Sequence, residues 1–153
     1  MHSGLDEVSA RLQRLEDIVA IHQLFVDYGV HLDHHDFESY ASLFAEDGEV
    51  LLGPLGRARG RTEIRRLMER ALRSVPIGDS FHLITNPVVR LDGDTAEATV
   101  MWTVIQRGSD GHPQVAMLGR HVDMLTRREG RWVFLRRAGH IDIPSAYPPA
   151  DGP

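Results

Sequence analysis

The spacing of apolar residues changes once along this chain of 153 residues, and that change limits the fold more than any other feature. Up to about Leu72 they recur at steps of three and four, the mark of helices packed by one face. From about Ser80 to Ile143 they alternate, the mark of half-buried strands. Helices first and strands last do not wind into repeating βαβ units. The order implies an α+β fold, with a curved antiparallel or mixed sheet wrapped on about three N-terminal helices around an apolar pocket.

The first helix is read from Leu5, Val8, Leu12, Leu15, Ile18 or Val19, Phe25 and Leu32, taken as one buried stripe. A second helix follows Asp36, which suits an N-cap, and is expected to cover Tyr40, Leu43 and Phe44 before stopping at Asp47-Gly48. A short strand is expected over Val50 to Leu52. A third helix runs from about Thr62 to Arg73, burying Ile64, Leu67, Met68, Ala71 and Leu72. The strands then run over about 80–91, 95–107, 114–127 and 131–143. Asp92-Gly93-Asp94 joins the first pair and Glu129-Gly130 the second. One domain is expected over 1–143, with a Pro-rich tail at 144–153, disordered or laid over the pocket mouth. After Gln114 both strand faces are largely apolar, so a homodimer or homotrimer through the outer sheet face is the expected assembly.

Two absences narrow the chemistry. With no cysteine there is no thiol nucleophile or thiolate metal site. All 17 basic residues are arginine, so Schiff-base chemistry is excluded as well. A net charge of -5 argues against nucleic acid as a partner. Arg61, Arg65, Arg66, Arg70 and Arg73 fall at helical spacing and read as a solvated helix face. With no apolar run of membrane-spanning length and no leader pattern, the expectation is a cytoplasmic protein without a membrane partner. The dense run His31, Asp33, His34, His35 and Asp36 lies at a helix boundary, where His and Asp serve local needs, and no metal spacing supports it. Neither a metal nor a cofactor is expected.

A longer pattern carries a resemblance. Tyr28, Asp33, Asp36-Phe37, Leu43 to Gly48 and Gly60, followed by Phe81-His82, Asn86-Pro87, Gly119 to Asp123 and Glu129 to Trp132, resemble the SnoaL-like branch of the nuclear-transport-factor-two-like superfamily from about Leu12 to Ile143. The resemblance implies a cone-like α+β barrel, an oligomer, and a pocket for a small hydrophobic ligand. Within the branch the chain is similar to three lyases: scytalone dehydratase, bile acid 7α-dehydratase and hexachlorocyclohexane dehydrochlorinase. These imply a catalytic His at His82 held by an Asp at Asp33, with Tyr28 at a position that bears a catalytic Tyr in the bile acid enzyme. Five residues separate Tyr28 and Asp33, about 140° on an ideal helix, so the two converge only if the helix is distorted near Gly29 or ends before Asp33. The bile acid enzyme's further Asp falls at or near Val104 here, and the corresponding region shows no His like that of scytalone dehydratase. His121 is expected to line the pocket, together with Trp102, Val104, Met117 and Phe25. Arg137 falls near an Arg of the dehydrochlorinase and is carried as a pocket candidate, against the alternative of a solvated strand position.

The function implied is a cofactor-independent lyase, a dehydratase or a related proton-abstraction enzyme, acting on a small polyketide- or steroid-like ring compound. Isomerase or cyclase chemistry, a non-catalytic binding protein, and the small subunit of a ring-hydroxylating oxygenase are the alternatives.

Overall fold

Helix α1 (His2–Asp33) opens the chain and stops at Asp33 for a backbone reason. His35 adopts φ 54°, and the N–H groups of His35 and Asp36 return to the carbonyls of Leu32 and His31, at 3.1 and 2.9 Å. This Schellman closure satisfies carbonyls that the helix end would otherwise leave bare. Asp36 then caps α2 (Phe37–Ser42), its carboxylate accepting from the Ser39 N–H at 3.1 Å. In this computed structural model, residues 2–144 are described, with side chains from residue 4 onward. The expectations for the tail therefore lie, apart from Pro144, outside the described residues.

Strand β1 (Phe44–Leu51) begins where the second helix was expected to continue. Phe44 is fully buried, and the Phe134 N–H bonds to the Leu43 carbonyl at 2.9 Å, so pairing with the sheet overrides the local helical pattern. The short strand expected over Val50 to Leu52 is the far end of β1. A short strand β2 (Arg57–Arg59) and helix α3 (Arg61–Ala71) follow, then β3 (Ser80–Asp92), β4 (Thr95–Arg107), β5 (Pro113–Arg128) and β6 (Arg131–Ile143). The sheet order is β2-β1-β6-β5-β4-β3. All neighbours run antiparallel except β1 and β6, which are parallel. The sheet is mixed and open, curved against the helices in a cone-like α+β arrangement. No described helix is long and apolar enough to cross a membrane.

Only part of the stripe expected of the first helix is inside. Ile21, Leu24, Phe25, Tyr28 and Leu32 join the core with Tyr40, Phe44, Ile64, Val100, Leu125 and Phe134. Leu5, Val8, Leu12, Leu15 and Val19 are exposed. At 100° per residue the two sets point about 160° apart. Each set keeps steps of three and four, but the step from Val19 to Ile21 is two, so they lie on opposite faces.

Asp17 ties α1 to the sheet. Its carboxylate accepts two hydrogen bonds from Arg127, at 2.7 and 3.0 Å, and one from the Trp132 indole N–H at 3.1 Å. Burial acts to raise its pKa, but the Trp132 and Arg127 bonds outweigh it and hold the carboxyl below its ordinary 3.8. A lowered folded value stabilises the fold above the unfolded pKa, and the contribution is lost as pH falls through the folded one. Asp17→Ala is expected to cost about 1–2 kcal/mol at neutral pH, because it strands the buried Trp132 N–H. Urea denaturation of both proteins should show that gap narrowing below pH 3.8; a gap that does not change with pH contradicts the assignment.

Candidate active site

The site forms where the end of α1 meets the edge of the sheet. Strand β3 is terminal in the sheet, so its outward N–H groups have no ladder partner. Asp33, the last residue of α1, fills this gap at His82: the His82 backbone N–H donates to its two carboxylate oxygens at 3.0 and 3.2 Å. The same carboxylate lies 2.7 Å from Nδ1 of the His82 ring, and both side chains are only 16% exposed. Gly29 permits the close approach, since a Cβ there would sit 3.1 Å from the His82 carbonyl oxygen and 3.3 Å from Ile84 Cγ1.

With Nδ1 engaged by a carboxylate, the favoured tautomer carries its proton on Nδ1 and a lone pair on Nε2. Among the described residues Nε2 has no hydrogen-bond partner. His82 borders a cavity of about 110 Å³ that is largely apolar. Its walls come from Tyr28 and Leu32 of α1, Leu52 and Leu55 after β1, Met68 of α3 with the adjacent Leu72, and residues from β3 to β6. An imidazole held this way can take a proton at Nε2 while the carboxylate steadies the resulting charge.

Two side chains that line this space each carry a buried polar atom without a partner among the described residues. The indole Nε1 of Trp102 and Nδ1 of His121 are buried and make no hydrogen bond among the described residues, and both side chains line the cavity. Trp102 is seated over Gly119, where any Cβ would overlap the His140 carbonyl oxygen and the indole ring. Burial first, then the Arg137 charge and the nearby His82 and His140, push His121 well below its ordinary 6.5. It is therefore neutral, and Nδ1 can accept or donate according to tautomer. The Tyr28 ring meets His121 edge-on at 5.3 Å, and burial raises its hydroxyl above the ordinary 10.0 against the opposing pull of Arg137. That hydroxyl keeps its proton and is available as a donor.

The structure brings Tyr28, His82, Trp102, Val104, Met117 and His121 to one cavity and sets Asp33 directly behind His82. Helix α1 is neither broken near Gly29 nor ended before Asp33. Tyr28 turns inward and Asp33 turns to the edge strand, so they approach the site separately, linked through His82. Phe25 and Arg137 are not among the lining residues. Phe25 packs on Phe134 in the core, ring centres 6.1 Å apart.

Arg137 is neither solvated nor at the pocket wall: it is fully buried and bidentate to Asp123, with Nε–Oδ1 2.8 Å and Nη2–Oδ2 2.7 Å. Its guanidinium lies 4.0 Å from the Phe134 ring centre and 4.2 Å from that of Tyr28, beneath the cavity. Burial alone would lower its pKa, but Asp123 raises it above its ordinary value, so the charge persists. A bulge at Leu135 explains the placement, since Arg136 pairs with Met124 while Phe134 pairs with Leu125. The extra residue shifts the alternation and turns Arg137 inward.

Leu32, Leu52, Leu55, Met68, Leu72, Gly139 and Ile141 also line the cavity and were not among the residues expected there. Met68 and Leu72 sit on the apolar stripe of the third helix and could have been carried forward from it. Leu52 precedes and Leu55 ends a 3₁₀ turn (Gly53–Leu55) with no periodic signal. The His31 to Asp36 run serves the helix junction: His34 Nδ1 bonds the Val30 carbonyl at 2.8 Å and His35 stacks on Phe37. Among the described residues no three His, Asp or Glu side chains converge as a metal set.

Comparison with known proteins agrees with this architecture. An uncharacterized protein of Mycobacterium tuberculosis (strain ATCC 25618 / H37Rv) is 28% identical over 139 residues, 90% of this chain and 93% of that one. An NTF2-like protein with a cystatin-like fold from Novosphingobium aromaticivorans superposes with a TM-score of 0.82 at 30% identity, covering 93% of this chain and 92% of its own. A candidate scytalone dehydratase from the same organism gives 0.71 at 25% identity, covering 84% and 85%. The model of the SnoaL-like domain matches residues 13–138, a span that holds Tyr28, Asp33, His82, Trp102 and His121. On that match and the helix-filled open sheet described above, the chain belongs to the SnoaL-like domain family.

Proposed function

We propose that the protein is a cofactor-independent lyase that abstracts a proton beside a carbonyl in a small ring compound and expels water from the neighbouring carbon. The observation that carries this reading is the 2.7 Å contact between Asp33 and His82 Nδ1 at the wall of an apolar cavity. In the mechanism, His82 Nε2 takes the C–H proton and Asp33 stabilises the imidazolium. The electron pair left on carbon moves toward the carbonyl and then expels the β-oxygen as a double bond forms. The Trp102 N–H serves the carbonyl oxygen, and Tyr28 or the imidazolium supplies the proton that lets the leaving group depart as water. The likeness to a candidate scytalone dehydratase supports the same reaction class.

The cavity argues for size as well as chemistry. At about 110 Å³ it is smaller than the apolar cavity of about 150 Å³ that holds benzene, so the ligand fits as no more than a single small ring. A steroid-sized skeleton would enter only in part. The unpaired Trp102 and His121 nitrogens favour a ligand with oxygen functions over a plain hydrocarbon, since each buried group left unpaired costs about 1–3 kcal/mol.

The test is to incubate the purified chain in deuterated water with a panel of single-ring β-hydroxy ketones and follow them by mass spectrometry. Dehydration, or deuterium entering beside the carbonyl, is expected for at least one member. Compounds that raise the melting temperature yet return unchanged and unlabelled would replace the lyase with a binding protein.

A further inference from the structure

The exposed stripe on α1 has the spacing of a helix–helix seam. Leu5, Val8, Leu12, Leu15 and Val19 alternate steps of three and four, and continuing that rhythm through His22 reaches Val26. These are a and d positions of a heptad repeat, whose narrow apolar line faces another helix. The five leading side chains are 55% (Leu12) to 75% (Leu5) exposed, and Val26 is 52% exposed although its helix neighbours Leu24, Phe25 and Tyr28 are buried. From Leu5 to Val26 the line spans about 32 Å at 1.5 Å per residue. The domain's own core already uses the opposite face of the helix, so nothing described within the protomer covers this one.

We propose that this face is the interface with a second copy of the chain, the two α1 helices lying parallel and in register. Charge selects the occupant and the direction. With Leu5 and Leu12 at a, Arg11 falls at g and Glu16 at the following e, the two positions that meet between parallel helices. A twofold axis along the seam repeats the Arg11 to Glu16 pairing on both sides, so the surface is complementary to itself. In an antiparallel pairing with Leu12 opposite Leu15, Arg11 meets Ile18 and Glu16 meets Ser9, and the match is lost. Because seam and core lie about 160° apart around the helix, each domain body sits on the far side of the pair from the other. The sheet's outer face, with exposed Val88, Met101, Val122 and Met124, is the competing location for a second copy.

The absence of cysteine in the chain makes the test direct. Leu5→Cys and Leu12→Cys, introduced separately, should each form a disulfide-linked dimer under mild oxidation, because parallel helices in register bring each a position beside its own copy. Linking at one site alone overturns the parallel arrangement. In sedimentation equilibrium the unmodified chain should be a dimer, and the paired change Leu12→Glu with Leu15→Glu should halve the mass while the circular dichroism spectrum is retained. An unmodified chain that is monomeric, or a charged variant that stays dimeric, overturns the proposal; the second result moves the interface to the sheet.

Discussion

Asp33→Asn is expected to lower turnover about 10²–10⁴-fold, and His82→Ala to lower it by at least as much. The two changes remove different parts of one device. Alanine deletes the base. Asparagine keeps a side chain of the same size, and its Oδ1 can still accept from Nδ1–H, but the full charge that steadies an imidazolium is gone. Because Asp33 also receives the His82 backbone N–H, Asp33→Asn should shift the melting temperature only modestly while kcat falls. Steady-state kinetics on any compound turned over in the elimination screen would check this. Activity of either variant within a few-fold of the parent removes the dyad from the mechanism.

The second large effect is on stability. Asp123→Ala leaves the Arg137 guanidinium fully buried and without its counter-charge. Breaking such a pair from one side costs about 3–5 kcal/mol, a large part of the roughly 5–15 kcal/mol that holds a domain together. Replacing both partners, as in Asp123→Val with Arg137→Met, should recover most of the loss, because no charge is then stranded. Chemical denaturation of the single and double variants reads the difference. A single variant within 1 kcal/mol of the parent would mean that Arg137 is hydrated, contrary to its burial. The pair also bears on the site, since Arg137 lies under the Tyr28 ring and its charge helps keep His121 neutral.

Local signals made the strands legible and left long-range meetings hidden. Gly93 and Gly130 mark the hairpins because a tight turn needs positive φ, and both adopt it. Nothing in periodicity brings Asp33 to His82 across 49 residues; only the resemblance suggested it, and the edge position of β3 supplies the physical reason. The local pattern places Phe44 in a helix because an apolar run of three residues has no period of its own. Alternation does not reveal the burial of Arg137, because a one-residue bulge at Leu135 reverses it without leaving a turn residue as a sign. Yet Asp123, on the same strand face as His121 and Leu125, already implied a buried carboxylate in need of a cation. The first helix misled differently, since counting steps of three and four accepts two stripes on opposite faces as one.

The central claim is that Asp33 holds the His82 proton on Nδ1 and leaves Nε2 free as a base. Nitrogen-15 NMR of the histidine rings tests it without a substrate, with His82→Ala supplying the assignment. At a pH where the ring is neutral, His82 should appear with a protonated Nδ1 and an unprotonated Nε2, and Asp33→Ala, which removes the acceptor, should abolish that preference. A ring protonated on Nε2, or a spectrum that Asp33→Ala leaves unchanged, would contradict the account.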